Sequence, residues 1–169
     1  MRRANRAYVG LGSNHDRAVE RLHDALDAIA ALHGVFPVAF SPVYDTEPQD
    51  YGEQPWFKNQ VAEFRVSKEW RAESLLSAFL DIERALGRLR SPEPAIRFGP
   101  RIIDIDLLLF DGPPPSSADC IVPHPRLRRR AFALIPLLDI APGIRIHGIL
   151  ARECLERLAY RKVGHKIFQ

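Results

Sequence analysis

Long apolar runs are missing from this chain of 169 residues. No stretch approaches the ~18 consecutive apolar residues that a bilayer-spanning helix needs, so no membrane partner is expected. Cysteine is scarce as well. Cys120 and Cys154 stand far apart with no C-x-x-C pair, which argues against a disulfide scaffold or a zinc site and fits a reducing cytoplasm. The opening Met-Arg-Arg-Ala-Asn-Arg is basic but no apolar segment follows it, so a secretory signal is not expected. A strong charge of one sign is also lacking. The 24 Lys and Arg against 21 Asp and Glu leave a net +3, a mild excess that suits an anionic small molecule as readily as nucleic acid. Internal repeats and long low-complexity tracts are absent. What is there is an ordinary globular composition, 46% hydrophobic and 27% charged, long enough for one domain over residues 1–169 with a real core.

Hydrophobic periodicity divides the chain. A short strand over residues 7 to 11 ends at Gly12-Ser13-Asn14, a turn and helix cap in its plainest reading. A helix is predicted over 16 to 33, with Val19, Leu22, Leu26, Ile29 and Leu32 on one face and Gly34 as its stop. Residues 35 to 44 read as a strand edged by Pro37 and Pro42. Residues 46 to 55 form a polar loop of the kind that often carries function. A strand over 57 to 66 and a helix over 72 to 86 follow, then a basic, proline-containing loop over 88 to 97. A strand runs from Ile102 to Phe110. Beyond the prolines 113 to 115 come a short strand over 120 to 122, Pro123-His124-Pro125, a basic run, an apolar helix from Ala131 broken at Pro136, and a helix over 149 to 159. The tail from 161 to 169 is basic and expected to fray. The order β-α-β-β-α-β predicts an α+β domain with a ferredoxin-like split β-α-β core. Helices pack on a mainly antiparallel sheet, with the C-terminal additions on its other face.

Two acids interrupt the apolar strand at Asp104 and Asp106. Residues two apart on a strand share a face, roughly 7 Å apart, with Ile103, Ile105, Leu107 and Leu109 assigned to the opposite one. Like charges side by side among apolar neighbours need a cation. Mg²⁺ takes hard oxygen ligands, typically one or two carboxylates together with substrate phosphates. Arg88, Arg90, Arg97 and Arg101 lie just upstream, and guanidinium matches phosphate oxygens. Metal-assisted phosphoryl chemistry on a nucleotide is one reading; plain salt bridges between these acids and arginines are the other. Asn59 beside Phe57 suits either the edge of a heteroaromatic ring or loop backbone. The run Arg126, Arg128, Arg129 and Arg130 suits a solvated helix face as well as an anion. His15, His23 and His33 have no ligand-like company.

Set side by side, Gly87-Arg88-x-Arg90, Phe98-Gly99-Pro100-Arg101-x-x-Asp104-x-Asp106 and Pro123-His124-Pro125-Arg126 with Arg130-Ala131-Phe132 resemble the 6-hydroxymethyl-7,8-dihydropterin pyrophosphokinases of folate biosynthesis. The likeness spans residues 8 to about 142, with weaker support from Gly-Ser-Asn and Thr46-Glu47-Pro48. It implies transfer of pyrophosphate from ATP to the pterin hydroxymethyl group with release of AMP. Carried over, Asp104 and Asp106 would hold two Mg²⁺ ions, and Arg88 and Arg101 would stabilise the phosphates. Arg90, His124 and Arg130 would bind ATP, with adenine against the backbone around Leu107 and Ile121 and Glu83 nearby. Phe57 and Phe132 would sandwich the pterin, with Thr46 and Asn59 at its polar edge and Phe98 beside it. The resemblance implies a cytoplasmic monomer whose partners are ATP and the pterin, with no nucleic acid. Phe98 stands where many relatives have Trp, the Arg88–Phe98 loop is longer and carries Pro92 and Pro94, and the Gly-Ser-Asn loop is shorter. Asp119 and Leu80 replace an Arg and a Gln of some members. A weakly catalytic binding relative and a basic nucleic-acid module are the competing classes.

Overall fold

The computed structural model describes residues 4–48, 54–89 and 101–169. At its centre is β1 (Asn5–Ser13), antiparallel to β4 (Phe57–Val66) on one side and to β5 (Asp104–Phe110) on the other. β2 (Val35–Phe40) and β3 (Tyr44–Thr46) share the far edge of β4. The single strand expected over 35 to 44 is thus two, separated at Ser41-Pro42-Val43, because Pro42 has no N–H for a continuous ladder. β1 and β2 run parallel with β4 between them, and β4 and β5 run parallel with β1 between them. These are the two split β-α-β units that the element order implied.

The connecting helices cover one face. α1 (Ala18–Ala30) buries Leu22, Ala25, Leu26 and Ile29, and α2 (Ala72–Ala85) buries Leu75, Phe79 and Ile82, both at helical spacing. They meet Val9, Leu11, Phe64, Val66, Ile103, Ile105 and Leu107 from the sheet. Gly87 follows α2 with φ of +95°, a backbone that favours glycine as the stop. The opposite face carries Tyr8, Val61, Leu108 and Leu109 under α3 (Ala131–Ile140). Leu109 was expected beside Leu107. The β1–β5 register shifts so that Tyr8 pairs with Leu109 and Val9 with Leu107. Leu108 is therefore left as a bulge, and Leu109 turns to the α3 side.

Four other expectations are corrected. Residues 120 to 122 form no strand. His124 N–H donates to the Leu108 carbonyl at 2.9 Å, but Pro123 and Pro125 have no N–H to extend this contact into a ladder. α3 runs through Pro136 instead of breaking; Leu134 and Leu137, buried against the sheet, hold the turn together although one backbone bond is lost. The helix expected over 149 to 159 shrinks to α4 (Ala151–Glu156), because residues 145–146 and 149–150 pair as β6 and β7. The tail does not fray either. β8 (Arg161–Val163) and β9 (Lys166–Phe168) form a hairpin across Gly164-His165, and β9 joins β3 in parallel with Ile167 buried. No described helix is long and apolar enough to cross a membrane.

Candidate active site

The α3 face of the sheet is not covered to its end. Where β1 finishes, a cleft of about 710 Å³ opens between the sheet, the 123–130 segment and the first turn of α3. Strand pairing sets its floor. Gly12 lies between Asp104 on β5 and Asn59 on β4, and Gly10 lies between Asp106 and Val61. The glycines keep this floor low. A Cβ on Gly12 would come within 2.6 Å of Asn59 Oδ1, so even alanine would displace the amide. Asn59 Nδ2 donates to Thr46 Oγ1 at 2.6 Å, which orients the amide from the β3 side.

The two acids are paired with arginines. Arg88 Nη1 sits 2.6 Å from Glu83 Oε1 and 2.5 Å from Asp104 Oδ1. Arg101 Nη1 donates to Asp104 Oδ2 at 3.0 Å, and Arg130 Nη1 lies 3.6 Å from Asp106 Oδ2. The salt bridges weighed in the sequence therefore exist. They occupy both oxygens of Asp104 but leave Asp106 open to the cleft, its side chain 44% exposed. Five arginines (88, 101, 126, 129 and 130) line the described cleft against Glu47, Asp104 and Asp106, which leaves a cationic surplus suited to a polyanion.

His124 also lines the cleft, and burial lowers its pKa, with Asp106 opposing and Arg130 and Arg126 assisting the shift. Its Nδ1 accepts the Arg126 N–H at 3.1 Å. The neutral ring must then carry its proton on Nε2, a donor for an oxyanion. Phe57 from β4 and Phe132 from α3 reach the same cleft, and the Arg130 guanidinium stands 5.4 Å from the Phe132 ring centre.

Of the residues expected here, Arg88, Arg101, Asp104, Asp106, His124, Arg130, Thr46, Phe57, Asn59 and Phe132 are brought together. Arg90 and Phe98 lie outside the described residues. Glu83 does not line the cleft. It is buried beneath the floor, where its Oε1 also accepts the Ile105 N–H at 2.8 Å. The Leu107 side chain packs into the helix-covered core, and Ile121 is exposed. Sequence reasoning passed over Gly10, Glu47 and Gln54 as lining residues, and of the basic run it assigned a ligand to Arg130 but not to Arg126 or Arg129. It also read Asn14 as a turn residue. Asn14 is a clasp: Oδ1 accepts the Arg101 N–H at 2.6 Å while Nδ2 donates to Gln54 Oε1 at 3.2 Å. Its signal, the Gly-Ser-Asn turn, was visible, but its partners are 40 and 87 positions away.

Fold and site together define a class, an α+β protein whose cationic cleft, floored by two carboxylates, fits a phosphorylated ligand. Comparison with known proteins narrows the class. The profile of the family described as 7,8-dihydro-6-hydroxymethylpterin-pyrophosphokinase (HPPK) matches residues 8–142, and the chain belongs to that family. It is 42% identical to the 2-amino-4-hydroxy-6-hydroxymethyldihydropteridine pyrophosphokinase of Methylorubrum extorquens, over 90% of this chain and 93% of the relative. It is 39% identical to the protein of that name in Pseudomonas aeruginosa, over 83% of each. Among solved structures, an HPPK-DHPS chain in complex with substrates superposes with a TM-score of 0.67 at 15% identity. That match covers 91% of this chain and 43% of the other, so this chain spans less than half of the solved protein.

Proposed function

We propose that this protein transfers the terminal pyrophosphoryl group of ATP to the hydroxymethyl oxygen of 6-hydroxymethyl-7,8-dihydropterin, a step of folate synthesis. The acceptor oxygen forms a bond to Pβ, the bond from Pβ to the bridging oxygen on Pα breaks, AMP leaves, and the hydroxyl proton is released to solvent. The observation that carries the reading is the floor itself: Asp104 and Asp106 on one strand face, under a rim of arginines, beside Asn59 and two phenylalanines.

Magnesium fits this floor. Both donors are hard carboxylates on one strand face, the Asp106 side chain is open to the cleft, and such ions are usually completed by substrate phosphates. Asp104 and Asp106 would hold two ions, which when bound neutralise phosphate charge and polarise the acceptor hydroxyl. The chain's own groups do the rest. Arg88 and Arg101, now on Asp104, exchange onto phosphate oxygens, where charge develops in the transition state. His124 donates from Nε2 and Arg130 adds its guanidinium to the triphosphate. Phe57 and Phe132 stack on the pterin and Asn59 reads its polar edge, which fixes the acceptor for in-line attack. Adenine would rest on backbone near Leu107 and Ile121. The scarcity of cysteine supports placing it in the cytoplasm, and we read it as a monomer of a single domain.

The test is AMP release from ATP with and without the pterin, repeated after chelation of the metal. AMP that depends on both pterin and metal is the expected result. No AMP from a protein that still binds pterin would identify a non-catalytic relative, and no pterin binding at all would overturn the reading.

A further inference from the structure

Gln169 lies beyond the segment that the family profile matches, yet it reaches the cleft's framework. Its carboxamide sits at the start of α3. Oε1 accepts the Ala131 N–H at 2.7 Å, and Nε2 donates to the Arg129 carbonyl at 2.8 Å. These two contacts bracket a single residue, Arg130. The backbone N–H of Gln169 donates to Glu47 Oε2 at 3.2 Å, and the Glu47 N–H donates to the Ile167 carbonyl at 3.3 Å. Glu47, Arg129 and Arg130 all line the cleft.

The first N–H groups of a helix have no partner within it, and Arg130, the residue preceding α3, supplies no side-chain cap. The cap comes instead from a strand hairpin 38 positions away. Arg130 has an extended backbone, with φ of −118° and ψ of 98°. The two peptide groups on either side of it set the direction of its side chain, and Gln169 bonds to each of them, alongside the Arg130 N–H donated to the Leu127 carbonyl at 3.2 Å and the Leu134 N–H donated to the Arg130 carbonyl at 2.9 Å.

We propose that Gln169 is a positioning residue for Arg130, aiming the guanidinium at Asp106 and the phosphate side of the cleft. The kinetic part of this proposal rests on the pyrophosphokinase reading above. The test is a double-mutant cycle with Gln169→Ala and Arg130→Ala, run well below the melting temperature of each variant, together with amide hydrogen exchange at Ala131. Gln169→Ala is expected to lower kcat/KM for ATP roughly three- to ten-fold when Arg130 is present and less than about two-fold when it is alanine, the pattern of two groups that act as a unit. Exchange at Ala131 should speed up by about ten-fold or more in Gln169→Ala. Equal kinetic losses in both backgrounds would overturn the proposal, as would unchanged exchange at Ala131. If the wild-type protein made no AMP, the pyrophosphokinase reading would fall, and the exchange measurement alone would decide whether Gln169 holds this turn.

Discussion

Asp106 is a cleft-floor residue with a 44% exposed side chain, paired at 3.6 Å with Arg130. On the proposed reading, replacing it with alanine should remove a metal ligand without opening a cavity. Turnover is expected to fall at least about 10³-fold, while the melting temperature stays within a few degrees of wild type; near-normal AMP formation by a folded Asp106→Ala would remove it from the metal site. Glu73 shows a different residue-scale effect. Its carboxylate accepts N–H bonds from Ser116 and Ser117, and chiefly the Ser116 bond lowers its pKa from the ordinary 4.5 to about 2. A lowered carboxylate pKa means that the folded state holds fewer protons than the unfolded one. The stabilisation is therefore complete above pH 4.5 and disappears as pH falls towards about 2. Melting temperatures of Glu73→Gln and wild type, followed from pH 7 downward, should converge across that window. The gap at pH 7 should be small, because Glu73 is a half-exposed surface residue and solvent screens its interactions.

At the scale of elements, Glu83 joins α2 to β5. One buried oxygen takes both the Ile105 N–H and the Arg88 guanidinium, so Glu83→Ala should destabilise the fold by about 3–5 kcal/mol, as broken buried pairs do. Urea unfolding measures this; a loss below about 1 kcal/mol would mean that water replaces the carboxylate without cost. The sequence made this helix and strand legible because their apolar periods are long and unbroken. β4 is found over the same residues, Phe57 to Val66, that the pattern predicts. Where tertiary contacts decided the outcome, the pattern failed. The Leu108 bulge depends on pairing with β1, and the α3 helix survives Pro136 because of what it packs against. β9 joins the main sheet because β3 offers it an edge beside its hairpin partner β8. Its hairpin did leave a local signal, two short β-prone runs across Gly164-His165, with Gly164 at φ of +56°. The site was legible where chemistry is concentrated in adjacent residues, as in Asp-x-Asp and the arginine runs. It was hidden where a residue acts through partners distant in sequence, as with Asn14, Glu83 and Gln169.

The whole molecule should register its ligands as stability. Mg²⁺-ATP at about 100 times its Kd would add about 2.7 kcal/mol to the folded state, or roughly 5–10 °C of melting temperature for a chain of this size. Chelating the metal should erase most of that shift if Asp104 and Asp106 bind the nucleotide through metal; a shift of equal size in chelator would place the nucleotide on arginines alone. The resting pairs have one more consequence. Arg88 and Arg101 are on Asp104, and Arg130 is on Asp106, before any ligand arrives. On the proposed reading, polyphosphate entry would be an exchange of counterions inside the protein, with carboxylates traded for phosphates and metal taking the vacated carboxylates. Few small ions are set free to the solvent, so affinity should weaken less with added salt than five open arginines would suggest. The cleft carries its own internal salt, and binding replaces it.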